Sequence, residues 1–159
     1  MMLVPYLAQT TLGGCGACSF IMVAKFFDPA LTLNEEEVLQ RFGVDGYGPR
    51  CFALALSFYK AAVAVGLVAR VATTSREALR THLEAGPVIL YHKASGAPDA
   101  LPHFSVAVAA TEAQITRHDP GAGAEVIDTW GQFENLWSEA KVPWWPYDGH
   151  YTAVLRPKL

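Results

Sequence analysis

Residues 15–27, CGACSFIMVAKFF, are apolar almost all round, and that restricts where a helix built from them can go. A surface helix keeps one polar face, whereas a helix without one must be enclosed by the rest of the fold. The Gly13-Gly14 turn comes just before, so Cys15 is expected at the N-terminus of a central, buried helix. Enclosing it takes a substantial core. Of 159 residues, 52% are hydrophobic and only 17% charged, the balance of a packed globular protein. A chain of this length fits one domain, residues 1–159, and needs no disulfide to hold it.

Around that helix the chain reads as helices first and strands second. Thr32 and Glu35 have capping-box spacing ahead of LNEEEVLQRF, and the acidic run suits the first turn of a helix ending near Gly43. Residues 50–65, RCFALALSFYKAAVAV, read as a largely buried helix stopped by Gly66. LVARVA from Leu67 alternates like a strand, Thr74 with Glu77 caps a short helix to about Ala85, and Gly86-Pro87 precedes the strand VILYH. HFSVAVAAT from His103 and QITRHD from Gln114 read as further strands. The Gly-rich DPGAGAE is a turn leading to a helix over about residues 132–138, and YTAVLRP closes the chain as a strand. This order predicts an α+β fold, with a mainly helical half over about residues 1–86 against a mainly β half over about residues 87–159.

Several classes are disfavoured. The formal net charge is −3 with no run of Lys or Arg, which argues against nucleic acid or an anionic membrane as partner. No apolar run is long enough to span a bilayer, and MMLVPYLAQTT lacks the basic start and long apolar core of a signal peptide. Three cysteines, an odd number, do not suit a secreted disulfide framework, so a reducing, cytoplasmic setting is expected.

The C-x-x-C of Cys15 and Cys18 admits three chemistries. A redox dithiol at a helix start normally follows a strand in a βαβ unit, and here little chain precedes it and more helix follows. A zinc site needs a second closely spaced ligand pair, but the remaining cysteine, Cys51, stands alone on an apolar helical face, so no metal is expected. Cys18 and Cys51 read as small hydrophobes in the core. Cys15 differs, because backbone N–H groups and the helix dipole would face its sulfur and favour the nucleophilic thiolate. Gln9, six residues upstream on an extended approach, is a candidate donor to a tetrahedral intermediate. His103, opening an apolar strand, is a candidate base, and Asp119, just before Pro120, a candidate partner for its other nitrogen. His118 competes as base, although adjacent strand residues point to opposite faces. Each residue also has an ordinary reading: a surface glutamine, a strand-end histidine, an Asp-Pro-Gly turn. The segment GAGAE lacks the lysine of a phosphate loop, and no cofactor is expected.

VPYLAQ (Val4, Pro5, Gln9), CGACSFIMV (Cys15, Gly16, Met22, Val23), HFSVAV from His103, DPGAG from Asp119 and FENLW from Phe133 to Trp137 stand in one order along essentially the whole chain. In that order and spacing the chain resembles the bacteriocin-processing, double-glycine peptidase family of papain-like cysteine proteases and its stand-alone relatives. The family patterns are V-P-x-x-x-Q, C-G-x-A-x-L-x-M-V, H-F-V-V-V, D-P-x-x-G and F-x-x-x-W. The resemblance implies a papain-like fold, a helical half packed on an antiparallel sheet half with the site in the cleft between them. It also implies Cys15 as nucleophile, His103 as general base and then acid, Asp119 as orienter, and Gln9 with the Cys15 backbone N–H as oxyanion hole.

The implied activity is a cysteine peptidase that cuts a peptide substrate or leader peptide through a thioester acyl-enzyme, after small residues such as glycine. Gly14 and Gly16 are expected beside the substrate, and Trp144 and Trp145 either line a substrate groove or pack under a loop. Three features depart from the family: Gly14 stands where members commonly have Asp, Cys18 where they have a small residue, and KVPWWPYDGHY is an insertion. The same thioester can be resolved by an amine, which leaves an acyltransferase or amidase acting on a small molecule as an alternative, and a non-catalytic leader-binding module as another. The sequence neither implies nor excludes association with an export system.

Overall fold

Ten consecutive residues, Cys15 to Ala24, are buried in helix α1 (Cys15–Phe27), so the apolar segment is enclosed on every side. In the computed structural model, which describes residues 2–44, 53, 55–141 and 149–158, two more helices cover α1: α2 (Glu35–Phe42) and α3 (Ala55–Ala64). Phe20, Phe42, Phe58 and Phe104 form an aromatic chain with ring centroids 5.3–6.0 Å apart that ties these helices to the sheet.

The sheet has six strands among the described residues: β1 (Leu67–Thr73), β2 (Val88–Lys93), β3 (Pro102–Ala110), β4 (Gln114–Asp119), β5 (Gly123–Thr129) and β6 (Tyr151–Pro157). They lie in the order β1-β6-β2-β3-β4-β5, and every pairing is antiparallel. The fold is α+β, with helices packed against an antiparallel sheet. β1 belongs to the same sheet although it precedes the strand-rich part of the chain, and it pairs with β6 throughout, from Leu67 opposite Pro157 to Thr73 opposite Tyr151.

Alternation along the strands serves two cores. Ile89 and Tyr91 of β2 and Phe104, Val106 and Val108 of β3 pack with α1, α2 and α3. Val88, Leu90 and Ala107 face the other way, onto α4 (Arg76–Glu84) and α5 (Trp130–Ser138), where Leu79, Leu83, Trp130, Phe133 and Trp137 complete a second core. Helices therefore cover both faces of the sheet, which extends the expected arrangement of one helical half on one sheet half. The near-continuous burial of β2, with Val88–His92 all buried, follows from this.

The element boundaries shift from the expected ones for identifiable reasons. TLNEEE offers two registers of the same capping pattern, and the second is used: Asn34 accepts from Glu37 N while the Glu37 side chain accepts from Asn34 N. Ser75 rather than Thr74 caps α4, because the Thr74 hydroxyl is buried against Thr152 Oγ1 at 2.6 Å. Strand β5 lies where a turn running directly into a helix was expected; its burial is slight, so no apolar alternation marked it. Thr129 then caps α5 in a capping box with Gln132. Of the helix expected over residues 50–65, residues 55–64 are described as α3, with Gly66 beyond it at a positive φ of 73°. Cys51, Trp144 and Trp145 lie outside the described residues.

Candidate active site

Cys15 is the first residue of α1, and Gly14 caps the helix without a side chain. The backbone N–H groups of the first turn have no partners within the helix, so the sulfur sits where those donors and the positive end of the dipole converge. Cys15 is buried with 8% of its surface exposed, at the floor of a cleft of about 160 Å³. Gln9, Leu12, Gly13, His103 and Phe104 are among the residues lining it.

Across the cleft stands His103 of β3, opposite His92 of β2 in the strand register. Its Nε2 donates to Asp119 Oδ1 at 2.7 Å, and the imidazole also pairs with the Cys15 sulfur. Because Nε2 is engaged by Asp119, Nδ1 is the nitrogen left for the thiol. Burial by itself would lower the imidazole pKa. The hydrogen bond to Asp119, the hydrogen bond to Cys15 and the negative charge of both outweigh it and raise His103 to about 9.

Asp119 ends β4, and its Oδ1 also accepts from Gly121 N at 2.9 Å and Ala122 N at 3.1 Å. Its Oδ2 accepts from Arg117 Nη1, two residues back on the same strand face. Burial alone would raise this carboxyl, but the hydrogen bond and charge of His103 and the guanidinium of Arg117 hold it well below the usual carboxylate range. Arg117 is itself buried; its Nε donates to Asp128 Oδ2 at 2.9 Å and its guanidinium lies 5.5 Å from the centre of the Phe133 ring.

Behind His103, the fully buried His92 meets it edge-on with ring centroids 5.4 Å apart. His92 Nδ1 donates to Lys93 O at 2.8 Å, which leaves Nε2 to accept from Ser105 Oγ at 2.8 Å. Burial, with the charges of Arg117 and His103, lowers its pKa to about 3, so it packs as a neutral wall. Phe133 backs His92 at 5.2 Å and Arg117 at 5.5 Å, which is how α5 supports the site from the far face of the sheet.

His118 takes no part in this cluster. Its Nδ1 accepts from Glu125 N at 3.1 Å and its Nε2 donates to Val4 O at 3.0 Å, so both ring nitrogens are committed. The second bond has a use: with Tyr6 Oη donating to Asp119 O at 3.2 Å and Gln9 N donating to Pro120 O at 3.0 Å, it lays the N-terminal arm along the end of β4. Gln9 is thereby carried to the cleft. Its Nε2 donates to Thr11 O at 3.0 Å and Leu12 O at 3.3 Å, and its buried Oε1 finds no hydrogen-bond partner among the described residues.

The structure thus brings Gln9, Cys15, His103 and Asp119 together from the arm, a helix start and two strands. Gly14 and Gly16 are not among the residues lining the cleft. A Cβ on Gly16 would stand 3.0 Å from Ala53 and 3.3 Å from Phe104, so glycine there allows α1 to approach closely, and a Cβ on Gly14 would collide with Glu35 Oε1. Cys18 is completely buried, its thiol directed at Ala8 O at 3.8 Å, and burial pushes its pKa far up. Among the described residues no cluster of three or more His, Cys, Asp or Glu side chains could hold a metal, and no helix is long and apolar enough to cross a membrane. Sequence reasoning missed Arg117, Asp128, His92 and Ser105. Arg117 carried a usable signal, since residues i and i+2 of a strand share a face; the others depend on strand register.

The model of the Peptidase C39 family matches residues 4–146. Among solved structures, the peptidase domain of Streptococcus ComA, a bi-functional ABC transporter of a quorum-sensing pathway, is similar at 18% identity and a TM-score of 0.73, covering 96% of this chain and 97% of that one. A double-glycine-motif protease from an AMS/PCAT transporter, in complex with its leader peptide, is 22% identical with a TM-score of 0.70 over 99% and 94% of the two chains. A C39-like peptidase from Bacillus anthracis is 16% identical with a TM-score of 0.74 over 99% and 96%. No match is found among curated proteins.

Proposed function

The chain belongs to the Peptidase C39 family, and on that premise we propose that it is a cysteine peptidase whose nucleophile is Cys15. The observation that carries the reading is the line Cys15, His103, Asp119, with Asp119 on Nε2 of the imidazole and the thiol on the ring's other side. An imidazole raised above its usual range, with the Asp119 carboxylate on one nitrogen and the thiol beside the other, is the base that takes the thiol proton as Cys15 attacks.

The thiolate attacks the carbonyl carbon of the scissile peptide bond, and the negative charge passes to the carbonyl oxygen. The Cys15 backbone N–H and the Gln9 carboxamide receive that oxygen, with Gln9 exchanging its longer bond to Leu12 O for the oxyanion. As the tetrahedral intermediate collapses, the C–N bond breaks and the leaving amine takes the proton from His103. Water then attacks the thioester, gives its proton to His103, and releases the acid and the thiol. Asp119, fixed by Arg117, Gly121 N and Ala122 N, holds the imidazole through both steps.

The cleft of about 160 Å³ leaves little room beside the sulfur, which favours glycine or another small residue at the cut. The exposed Leu12 and Leu101 at its sides offer apolar contacts to the flanking peptide. A leader peptide ending in two glycines is therefore the proposed substrate class, and a reducing, cytoplasmic compartment the proposed setting for the free thiols of Cys15 and Cys18.

The test is cleavage of a peptide series carrying Gly-Gly, Ala-Ala or Leu-Leu before the scissile bond, read by mass spectrometry. Turnover should be greatest with Gly-Gly, vanish in Cys15→Ala and survive in Cys18→Ala. Persistence in Cys15→Ala would refute the assignment, and a Cys15 no more reactive than a free thiol would turn the reading towards a leader-binding module.

A further inference from the structure

Glu35 opens α2, on a different element from the site, yet its carboxylate reaches the segment that leads into Cys15. Oε2 accepts from Thr10 N at 2.7 Å and Thr10 Oγ1 at 2.8 Å; Oε1 accepts from Thr11 N at 3.0 Å and Thr11 Oγ1 at 2.6 Å. Four donors on one carboxylate fix the residues immediately after Gln9. The same oxygen, Oε1, fills the space that a Cβ on Gly14 would need. Gly14 has φ −74° and ψ −11°, a conformation open to any residue, so glycine is required there by the carboxylate and not by the backbone.

We propose that Glu35 is a positioning residue for the oxyanion hole, its carboxylate on α2 holding the loop that runs from Gln9 to Cys15 in the space a side chain at position 14 would need. This inference rests on the peptidase reading and concerns only the donors, not the thiolate. Gln9 Nε2 donates to the carbonyls of Thr11 and Leu12, so its direction follows the loop that Glu35 anchors. Burial alone would raise the Glu35 pKa, but the hydrogen bonds from Thr11 and Thr10 lower it, so the acceptor is ionised at neutral pH. Donor placement is sensitive to small shifts: a displacement of about 1 Å in catalytic geometry costs on the order of 100-fold in rate.

The experiment compares two reactions of Cys15 in the whole chain. Alkylation by iodoacetamide needs the thiolate and no oxyanion hole, whereas reversible addition to acetyl-glycyl-glycinal creates a tetrahedral oxyanion that the hole must receive. In Glu35→Gln and Glu35→Ala, aldehyde affinity should fall by about 10-fold or more while the alkylation rate stays within about threefold. Gly14→Ala, which keeps Glu35 but displaces it, should behave like Glu35→Ala. The double variant Glu35→Ala with Gly14→Asp returns a carboxylate to the same space and should recover most of the aldehyde affinity.

Equal aldehyde affinity in wild type and Glu35→Gln overturns the proposal. So does a parallel loss of both reactions in a variant whose circular dichroism and melting remain native, since that would indicate a general effect on Cys15. A wild type that alkylates no faster than free cysteine would instead overturn the nucleophile assignment, and this inference with it. Should Glu35→Ala fail to fold, Glu35→Gln and Gly14→Ala decide the matter.

Discussion

Asp119→Asn removes one negative charge while nearly preserving the shape of the side chain. In the native site His103 reaches a pKa of about 9 against burial, and two of the four interactions that raise it, a hydrogen bond and a charge, belong to Asp119. Asparagine keeps a weaker acceptor and no charge, so the midpoint should fall by about 1 to 2 units, equivalent to about 1.4–2.7 kcal/mol. At about pH 8 the charged imidazole would drop from roughly nine molecules in ten to between one in ten and one half. The midpoint is measured by long-range ¹H–¹⁵N spectra of histidine-labelled protein, with His103→Gln identifying the resonance among the five histidines. A folded pKa above the unfolded value of about 6.5 stabilises the fold fully below that pH and ceases to do so as pH rises through about 9. The Tm deficit of Asp119→Asn should therefore be greatest near pH 6 and shrink towards pH 10. Peptide turnover should fall by about two to four orders of magnitude, the scale on which orienting carboxylates act in nucleophile–histidine sites. An identical His103 midpoint in both proteins, or a wild-type midpoint near 6.5, would refute the reasoning.

Arg117→Met leaves the Asp119 and Asp128 carboxylates without their shared buried cation and should destabilise the fold by about 3–5 kcal/mol, measured by urea denaturation. Because the depressed Asp119 pKa lends stability that is lost as pH falls, this variant should also unfold in acid at a higher pH than wild type. Gly149→Ala places a Cβ against the Ser138 carbonyl at a φ of 77° and should cost about 2–3 kcal/mol, whereas Gly96→Ala, which meets nothing within 4 Å, should stay within about 0.5 kcal/mol.

What the sequence made legible was whatever local chemistry enforces. The unbroken apolar run of α1 allowed only a central helix, and the alternation of LVARVA matches the alternating burial of β1. Gln9, Cys15, His103 and Asp119 could be singled out as candidates through the joint order and spacing of several short motifs, none of which would have carried it alone, and the fold brings the four side chains near one another. Choices between equivalent local options were not legible. Thr32 with Glu35 and Asn34 with Glu37 are equally good capping boxes by spacing, and what separates them is that Glu35 is drawn away to Thr10 and Thr11, a contact across 24 and 25 residues. Thr74 likewise forgoes its cap for Thr152, 78 residues away. Strand β5 was invisible because an edge strand with little burial needs no apolar pattern, only the neighbour β4. His92 reads locally as one more strand residue; its place against His103 follows from the β2–β3 register.

The arm formed by the first residues has a consequence for how the protein is made. Val4 and Tyr6 are bonded to His118 and Asp119 across separations of 114 and 113 residues, and Gln9 joins them through Pro120. Closures of that span come late, because chain entropy opposes them until the intervening strands have paired. During synthesis from the N-terminus, α1 emerges early with its sulfur in place, but the imidazole, the aspartate and the anchors that aim Gln9 all belong to chain not yet translated. On the proposed mechanism the growing polypeptide therefore lacks its base, its orienter and the anchors of its oxyanion donor until the end of β4 has left the ribosome.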